Sequence, residues 1–208
     1  AAHWIHAVRY NMNMTVFLHD NQIYGLTKMQ VSPTSPKGLH SNTTPRGAFL
    51  EAMQPLTVTL GVQNASFVAQ AVDWIPELLY DIVSAAYRHR GFSFVRIVQR
   101  CPEWLPRLFE PWLHDPDRVC LLHHQDGVQP SPTLARLHRN QEHHDPSDID
   151  RAREIASCVD PIPVGILYRN PIVPCYEDLR ETDHLRTTEL IKTGLESEFD
   201  KFTVWPSA

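Results

Sequence analysis

Apolar residues along this chain recur in two rhythms, and the switches between them mark out its elements. From residue 2 to 11, Ile5, Val8 and the alanines share one helical stripe, with no Ser, Thr or Asp ahead of them to cap a helix start. Met14-Thr15-Val16-Phe17-Leu18-His19 is a continuous apolar and β-branched run ending at Asp20-Asn21, the pattern of a buried strand closed by a polar turn. A helix feeding a buried strand predicts an α/β fold with a parallel sheet. Between Gly25 and Gly47 all periodicity stops, and Ser, Thr, Pro and Gly dominate a long loop of the kind that is usually functional or disordered.

The alternation of Leu56, Val58, Leu60 and Val62 suits a strand, while Pro55 equally suits the opening of a helix, and the pattern leaves both open. Residues 65–70 read as a short strand. Asp73 is placed to cap a helix through Ile75, Leu78, Leu79, Ile82, Val83, Ala86 and Tyr87, with Arg88, His89 and Arg90 in its last turn and Gly91 just beyond. Phe92 to Val98 is the next strand, so residues 65–98 form a βαβ unit, for which a right-handed crossover is the rule. After Cys101 the rhythm fades. Residues 102–146, rich in Pro and His, read as an extended arm over a surface. A helix over 147–157 with Asp148 and Asp150 in its first turn, a strand over 163–168, and an amphipathic helix over 182–202 through Leu185, Ile191, Leu195 and Phe199 complete the chain.

With 42% apolar and 21% charged residues in 208, the chain is long enough to bury a core, which excludes disordered and collagen-like classes. Nineteen Lys and Arg against 24 Asp and Glu give a net charge of −5, without the basic footprint that nucleic acid requires. The first ten residues lack the basic and apolar regions of a signal peptide, and no run approaches the ~18 apolar residues of a membrane span. Four cysteines lie far apart with no Cys-x-x-Cys, which argues against a disulfide framework or a self-contained zinc site and fits a reducing cytoplasm. Eight Gly and 17 Pro are an odd pair of counts beside the usual ~7% and ~5%.

The sharpest local chemistry is Asp20-Asn21-Gln22-Ile23-Tyr24-Gly25-Leu26-Thr27-Lys28, directly after a strand, where ligands bind in open α/β sheets. An Asn side-chain oxygen and a backbone carbonyl two residues on are hard ligands of the kind Mg²⁺ accepts, and Gly25 to Thr27 can offer N–H groups and a hydroxyl to a diphosphate. The same residues also suit a plain polar turn. Cys101, before Pro102, suits a buried thiol.

Four stretches bring these features together: HWIHAVRYNMNMTVFLHDNQIYGLTK, SPTSPKG, HRGFSFVRIVQRCP, and a last group of HHDPSD, PVGILYRNP and YEDL. They resemble the β subunit of the 2-oxoacid:ferredoxin oxidoreductases, with the last group similar to tails of the 2-oxoglutarate type. The resemblance implies a thiamine diphosphate-binding fold, a mostly parallel sheet with flanking helices plus an extended C-terminal tail. It divides the chain into the C-terminal portion of that domain, residues 1–101, and an arm and tail, residues 102–208, packing on the same domain and on partner subunits. The implied activity is CoA-dependent oxidative decarboxylation of a 2-oxo acid, or its reverse, in a hetero-oligomer with an α subunit, of the form (αβ)2, with ferredoxin as electron carrier.

By the same resemblance, Asn21 and the carbonyl of Ile23 match Mg²⁺ ligands, Gly25, Leu26 and Thr27 line thiamine diphosphate, and Lys28 lies near the reacting side, where it can pair with a substrate carboxylate. Cys101 matches the fourth ligand of a [4Fe–4S] cluster. The family commonly carries Gly after this lysine, whereas Met29 stands here, so a left-handed backbone at 29 would be strained. The family's Gly-Asp-Gly element and three further cluster cysteines precede the His-Trp-Ile-His-Ala helix and are not in these 208 residues, which implies an N-terminally incomplete subunit and a cause for the glycine deficit. Cys120, Cys158 and Cys175 match no ligand position. Two other readings stand beside this one: a non-catalytic scaffold or binding subunit, and a hydrolase with metal held by His123-His124 or His143-His144-Asp145, although neither pair has the i, i+4 spacing of a zincin.

Overall fold

A computed structural model describes residues 2–180 and 188–202. The chain runs through helix α1 (Ala2–Tyr10), strand β1 (Met14–Asp20), α2 (Pro55–Leu60), β2 (Phe67–Val72), α3 (Pro76–Arg88), β3 (Phe92–Val98), α4 (Glu110–His114), β4 (Val119–His123), α5 (Pro132–Leu137), β5 (Gln141–His143), α6 (Ile149–Ala156), β6 (Ile162–Arg169), α7 (Tyr176–Arg180) and α8 (Thr188–Asp200). The strands form one sheet in the order β1-β3-β2-β6-β4-β5. Neighbours are parallel except β2 and β6, which run antiparallel. Apolar clusters cover both faces, as a mostly parallel sheet requires. On one, Leu78, Ile82 and Ala86 of α3 meet Val95, Leu121 and Val164; on the other, Val8, Leu56 and Ile155 meet Phe94, Leu122 and Leu167.

Residues 55–60 resolve to helix, and Pro55 opens it, since the first helical position needs no N–H. The cap expected at Asp73 is not made. Pro76 delays the helix start to Ile75/Pro76, out of reach of the Asp73 side chain, and that carboxylate instead receives the backbone N–H of Arg100 at 3.2 Å and its guanidinium at 3.0 Å. β1 is not fully buried. It pairs on one side with β3 and leaves Met14 and Phe17 exposed.

The larger correction concerns residues 102–146. They are not an extended arm, because β4 lies inside the sheet between β6 and β5 and is buried over Val119–Leu122. Its short strands and proline-started helices fall below the window in which periodicity shows. From the end of β5 at His143, His144 and Asp145 lead toward α6: the Asp145 carboxylate receives Ser147 N–H and Oγ–H, both at 2.8 Å, and Asp148 caps the helix. At the far end, Ile191, Leu195 and Phe199 of α8 share a helical stripe and stay exposed, while the expected span 182–187, with Leu185, lies outside the described residues.

Candidate cofactor loop and the cysteine beside it

The register Asp20↔Val98 ends β1 and β3 side by side, so the loop after Asp20 and the segment leading to Cys101 leave the sheet at the same edge. That alignment makes neighbours of residues more than seventy positions apart in the chain. Built onto Gly25, a Cβ would lie 3.3 Å from Trp104 Cδ1 and 3.9 Å from Cys101 Sγ. Gly25 is thus the close-approach point at which the loop meets the cysteine, and Cys101 itself is buried.

Within the loop, Asn21 Oδ1 accepts the Ile23 N–H at 3.1 Å, an Asx turn, and Ile23 is buried. Tyr24 and Gln30 then pair across a short bridge, with N···O distances of 2.8 and 3.3 Å. Gly25 to Lys28 form the turn between them, closed by Lys28 N–H to the Gly25 carbonyl at 3.0 Å. Leu26 is 100% exposed, and Thr27 and Lys28 are exposed as well.

Lys28 and Met29 both sit in the left-handed region, at φ 67° and 66°. The conformation that glycine adopts freely is therefore present at 29 with a methionine in it. Asn42 Nδ2 secures the Lys28 carbonyl at 2.7 Å. Met29→Gly is expected to raise stability by about 0.5–1 kcal/mol, the ~1–2 kcal/mol of relieved strain less the greater entropy of glycine in the unfolded chain. Urea denaturation reads it, and an unchanged or lower midpoint means that Met29 packing offsets the strain.

Sequence reasoning missed what lies behind the loop. Asp20 is buried, with a side chain 2% exposed, and binds Arg96 Nη2 at 2.6 Å and Nε at 2.8 Å. Arg96 also donates to Gln70 Oε1 at 3.1 Å, and Gln70 Nε2 to the Pro163 carbonyl at 2.7 Å. A signal was present: an arginine amid Phe92-Ser93-Phe94-Val95 and Ile97-Val98 needs a buried partner. The loop forms a ridge between two cavities. One of about 410 Å³ is lined by Trp4, Leu18, Asn21, Ile23 and Phe94, with Trp4 stacked on Phe94 at 5.0 Å. The other, of about 360 Å³, has Gln22, Gln70 and Arg96 against Phe109 and Trp112.

The histidines offer less. His143 packs edge-on against His123 and His124 with centroids 5.5 and 5.0 Å apart, and His144 Nε2 bonds the Leu167 carbonyl at 2.6 Å. Among the described residues, no three His, Cys, Asp or Glu side chains are grouped to hold a metal ion. Asn21 supplies a hard oxygen and Cys101 a soft sulfur, which suit Mg²⁺ and an iron–sulfur cluster respectively, each as one member of a larger ligand set.

A mostly parallel sheet covered on both faces, with a polar loop at the carboxyl end of β1, defines an α/β protein of the class that binds ligands at that edge. Residues 1–97 match the family model described as thiamine pyrophosphate enzyme, C-terminal TPP binding domain, and residues 134–183 match the model for the C terminal of the pyruvate ferredoxin oxidoreductase beta subunit. The chain is 30% identical over 178 residues to the 2-oxoacid:ferredoxin oxidoreductase subunit beta of a Sulfolobus species, covering 86% of this chain and 55% of that one. It is 44% identical over 100 residues to the 2-oxoglutarate oxidoreductase subunit KorB of Mycobacterium tuberculosis, covering 48% of this chain and 26% of that one. A solved structure, 2-oxoglutarate:ferredoxin oxidoreductase from Magnetococcus marinus with 2-oxoglutarate, coenzyme A and succinyl-CoA bound, matches with a TM-score of 0.68 and 31% identity over 92% of this chain and 62% of that one. Along most of its length the chain is similar to β subunits of the 2-oxoacid:ferredoxin oxidoreductases. It spans about half the length of the curated β subunits that it matches along most of its own length.

Proposed function

We propose that this chain is the part of a 2-oxoglutarate-type 2-oxoacid:ferredoxin oxidoreductase β subunit that carries the magnesium and diphosphate loop of thiamine diphosphate and one cysteine ligand of a [4Fe–4S] cluster. The observation that carries the reading is the Gly25 contact, which sets the 21–28 loop against Cys101 at one edge of the sheet. A cofactor that handles acyl chemistry and a cluster that takes electrons one at a time must lie close together, and this contact brings their candidate binding elements within a few ångströms. Names of relatives favour 2-oxoglutarate among the 2-oxo acids.

Thiamine diphosphate, when bound, supplies the electron sink for decarboxylating a 2-oxo acid. The chain's own residues have narrower tasks. Asn21, through its side-chain oxygen, and Ile23, through its carbonyl, hold Mg²⁺. Gly25, Leu26 and Thr27 line the diphosphate and cofactor body, and Lys28 presents an ammonium to the carboxylate of the substrate. Cys101, as thiolate, ligates iron. The exposed Leu26 of the loop, and the exposed Phe49 and Leu50 that line a cavity with Val31, Pro33 and Ser35, are where the site is closed over by an α subunit in an (αβ)2 assembly, with coenzyme A and ferredoxin as the other reactants. Four cysteines outside any disulfide, with Cys120, Cys158 and Cys175 as free thiols, suit a reducing, cytoplasmic location. No helix among the described residues is long and apolar enough to cross a membrane.

The test uses the complex assembled with its α subunit. Asn21→Ala is expected to lower thiamine diphosphate retention at least about tenfold, since metal-site ligands and their supports are worth roughly 10–100-fold in affinity. Cys101→Ala is expected to lower iron and sulfide content while leaving bound thiamine diphosphate in place. Wild-type cofactor retention in the first variant removes the loop assignment, and unchanged iron in the second removes the cluster assignment.

A further inference from the structure

Gln22 lies in the left-handed region at φ 58°. For a residue other than glycine that conformation costs on the order of 1 kcal/mol and persists where neighbours impose it. Both of its peptide groups are tied. Its N–H donates to Asp20 Oδ1 at 3.1 Å, and its carbonyl accepts the Ser35 hydroxyl at 2.6 Å. Each tether is itself held. The Thr34 hydroxyl donates to Asp20 Oδ1 at 2.5 Å, the Arg96 guanidinium occupies Asp20 Oδ2, and the Ser32 N–H donates to Ser35 Oγ at 2.8 Å.

Two consequences follow from this arrangement. Asp20 looks like a metal ligand by residue type, yet its Oδ1 takes two donors and its Oδ2 the Arg96 guanidinium, so it serves as scaffold, whereas Asn21 Oδ1 accepts only the Ile23 N–H among the bonds described and keeps a lone pair. The strained residue between Asn21 and Ile23 is gripped from two sides, by the end of β1 and by the Ser32–Ser35 loop. Arg96 and Gln70 carry that grip on to β3, β2 and β6.

We infer that Thr34 and Ser35, acting through Asp20 and Gln22, are positioning residues that hold the 21–28 loop in its cofactor-receiving shape. They set affinity for magnesium and thiamine diphosphate from one step behind the loop. The inference rests on the reading of that loop as the diphosphate and Mg²⁺ element.

The experiment measures the Mg²⁺-dependent dissociation constant of thiamine diphosphate in the assembled complex for Thr34→Val, Thr34→Ser and Ser35→Ala, with Asn21→Ala in parallel. Thr34→Val and Ser35→Ala are expected to raise the constant about tenfold, and Thr34→Ser to stay within about threefold of wild type, because supporting groups of this kind carry roughly 10–100-fold. The melting temperature of the cofactor-free complex should move by less than about 4 °C. Wild-type affinity in Thr34→Val and Ser35→Ala, alongside a loss in Asn21→Ala, overturns the inference and leaves the function standing. Wild-type affinity in all of them overturns the function itself. A loss in Thr34→Val that Thr34→Ser does not recover, or that comes with failure to assemble, also overturns the inference, because the hydroxyl would not be its cause.

Discussion

Asn11→Ala is expected to lower the unfolding free energy by about 3–4 kcal/mol, because one buried side chain joins three separate parts of the fold. Asn11 is fully buried and sits at φ 48° between α1 and β1. Its Nδ2 donates to the carbonyls of Val173 and Pro174 at 3.1 and 3.2 Å, which anchors the segment after β6. Its Oδ1 accepts the Phe92 N–H at 2.7 Å and the Ser66 hydroxyl at 2.6 Å, at the starts of β3 and β2. Alanine leaves the Phe92 N–H and two carbonyls without these partners, at roughly 1–3 kcal/mol for each group that water cannot reach, and it is less at ease in the left-handed region than asparagine. Gly91 belongs to the same arrangement: a Cβ there would lie 2.5 Å from Asn11 Oδ1. For a chain of this size the change corresponds to a fall in melting temperature of about 10 °C. Chemical denaturation checks it, and a loss below about 1 kcal/mol means that water enters and replaces the missing bonds.

The second large effect is a loss of stability in mild acid through His89. Burial lowers its pKa from 6.5 to about 4, and the nearby charge of Arg169 adds to the shift. Its Nε2 lies 2.9 Å from the Ser66 hydroxyl, within the network that Asn11 completes. The sign follows from proton counting. Between pH 6.5 and 4 the unfolded chain takes up a proton on this imidazole while the folded chain keeps it neutral. Stability is therefore complete above pH 6.5 and drains away as the pH falls toward 4. At about 1.4 kcal/mol per pKa unit, the total reaches about 3 kcal/mol at the acid end. Urea unfolding at pH 7.5 and 4.5 gives the slope, and His89→Gln, which keeps a partner for Ser66 and cannot titrate, isolates this residue's share. Equal slopes in wild type and His89→Gln would exclude it.

Both effects converge on the place where α1, β1 and β3 are aligned, and that alignment sets the candidate cofactor loop against Cys101. The Asp20 to Val98 pairing must hold for Gly25 to reach Cys101.

Local sequence was informative wherever one interaction range dominated. The helix at 2–10, the strand ending at Asp20 and the α3–β3 unit were legible because periodicity, Pro and Gly signals, and burial agreed. The motif Asn21 to Lys28 was legible as chemistry, and Met29 as a departure, because each is carried by a few adjacent residues. The fate of residues 55–60 was not, since an alternating apolar run with an initial proline fits two periods, and only packing against α6 and β2 selects helix. The segment 102–146 misled for a related reason. β4 has five residues, and its burial comes from β6, which lies about forty residues downstream.

Chain order by itself determined which groups are available: a hard oxygen at Asn21, flexible backbone at Gly25 and a thiol at Cys101. Those are properties of side chains and short spans, and folding does not alter them. Tertiary structure decided which of these groups meet. Parallel pairing of β1 with β3 brought position 25 to position 101, and the buried Asp20 and Arg96 pair, with Thr34 and Ser35, held Gln22 in a conformation that local preference disfavours. Such contacts between distant parts of a chain depend on strand order and burial, and no local pattern of residues specifies either.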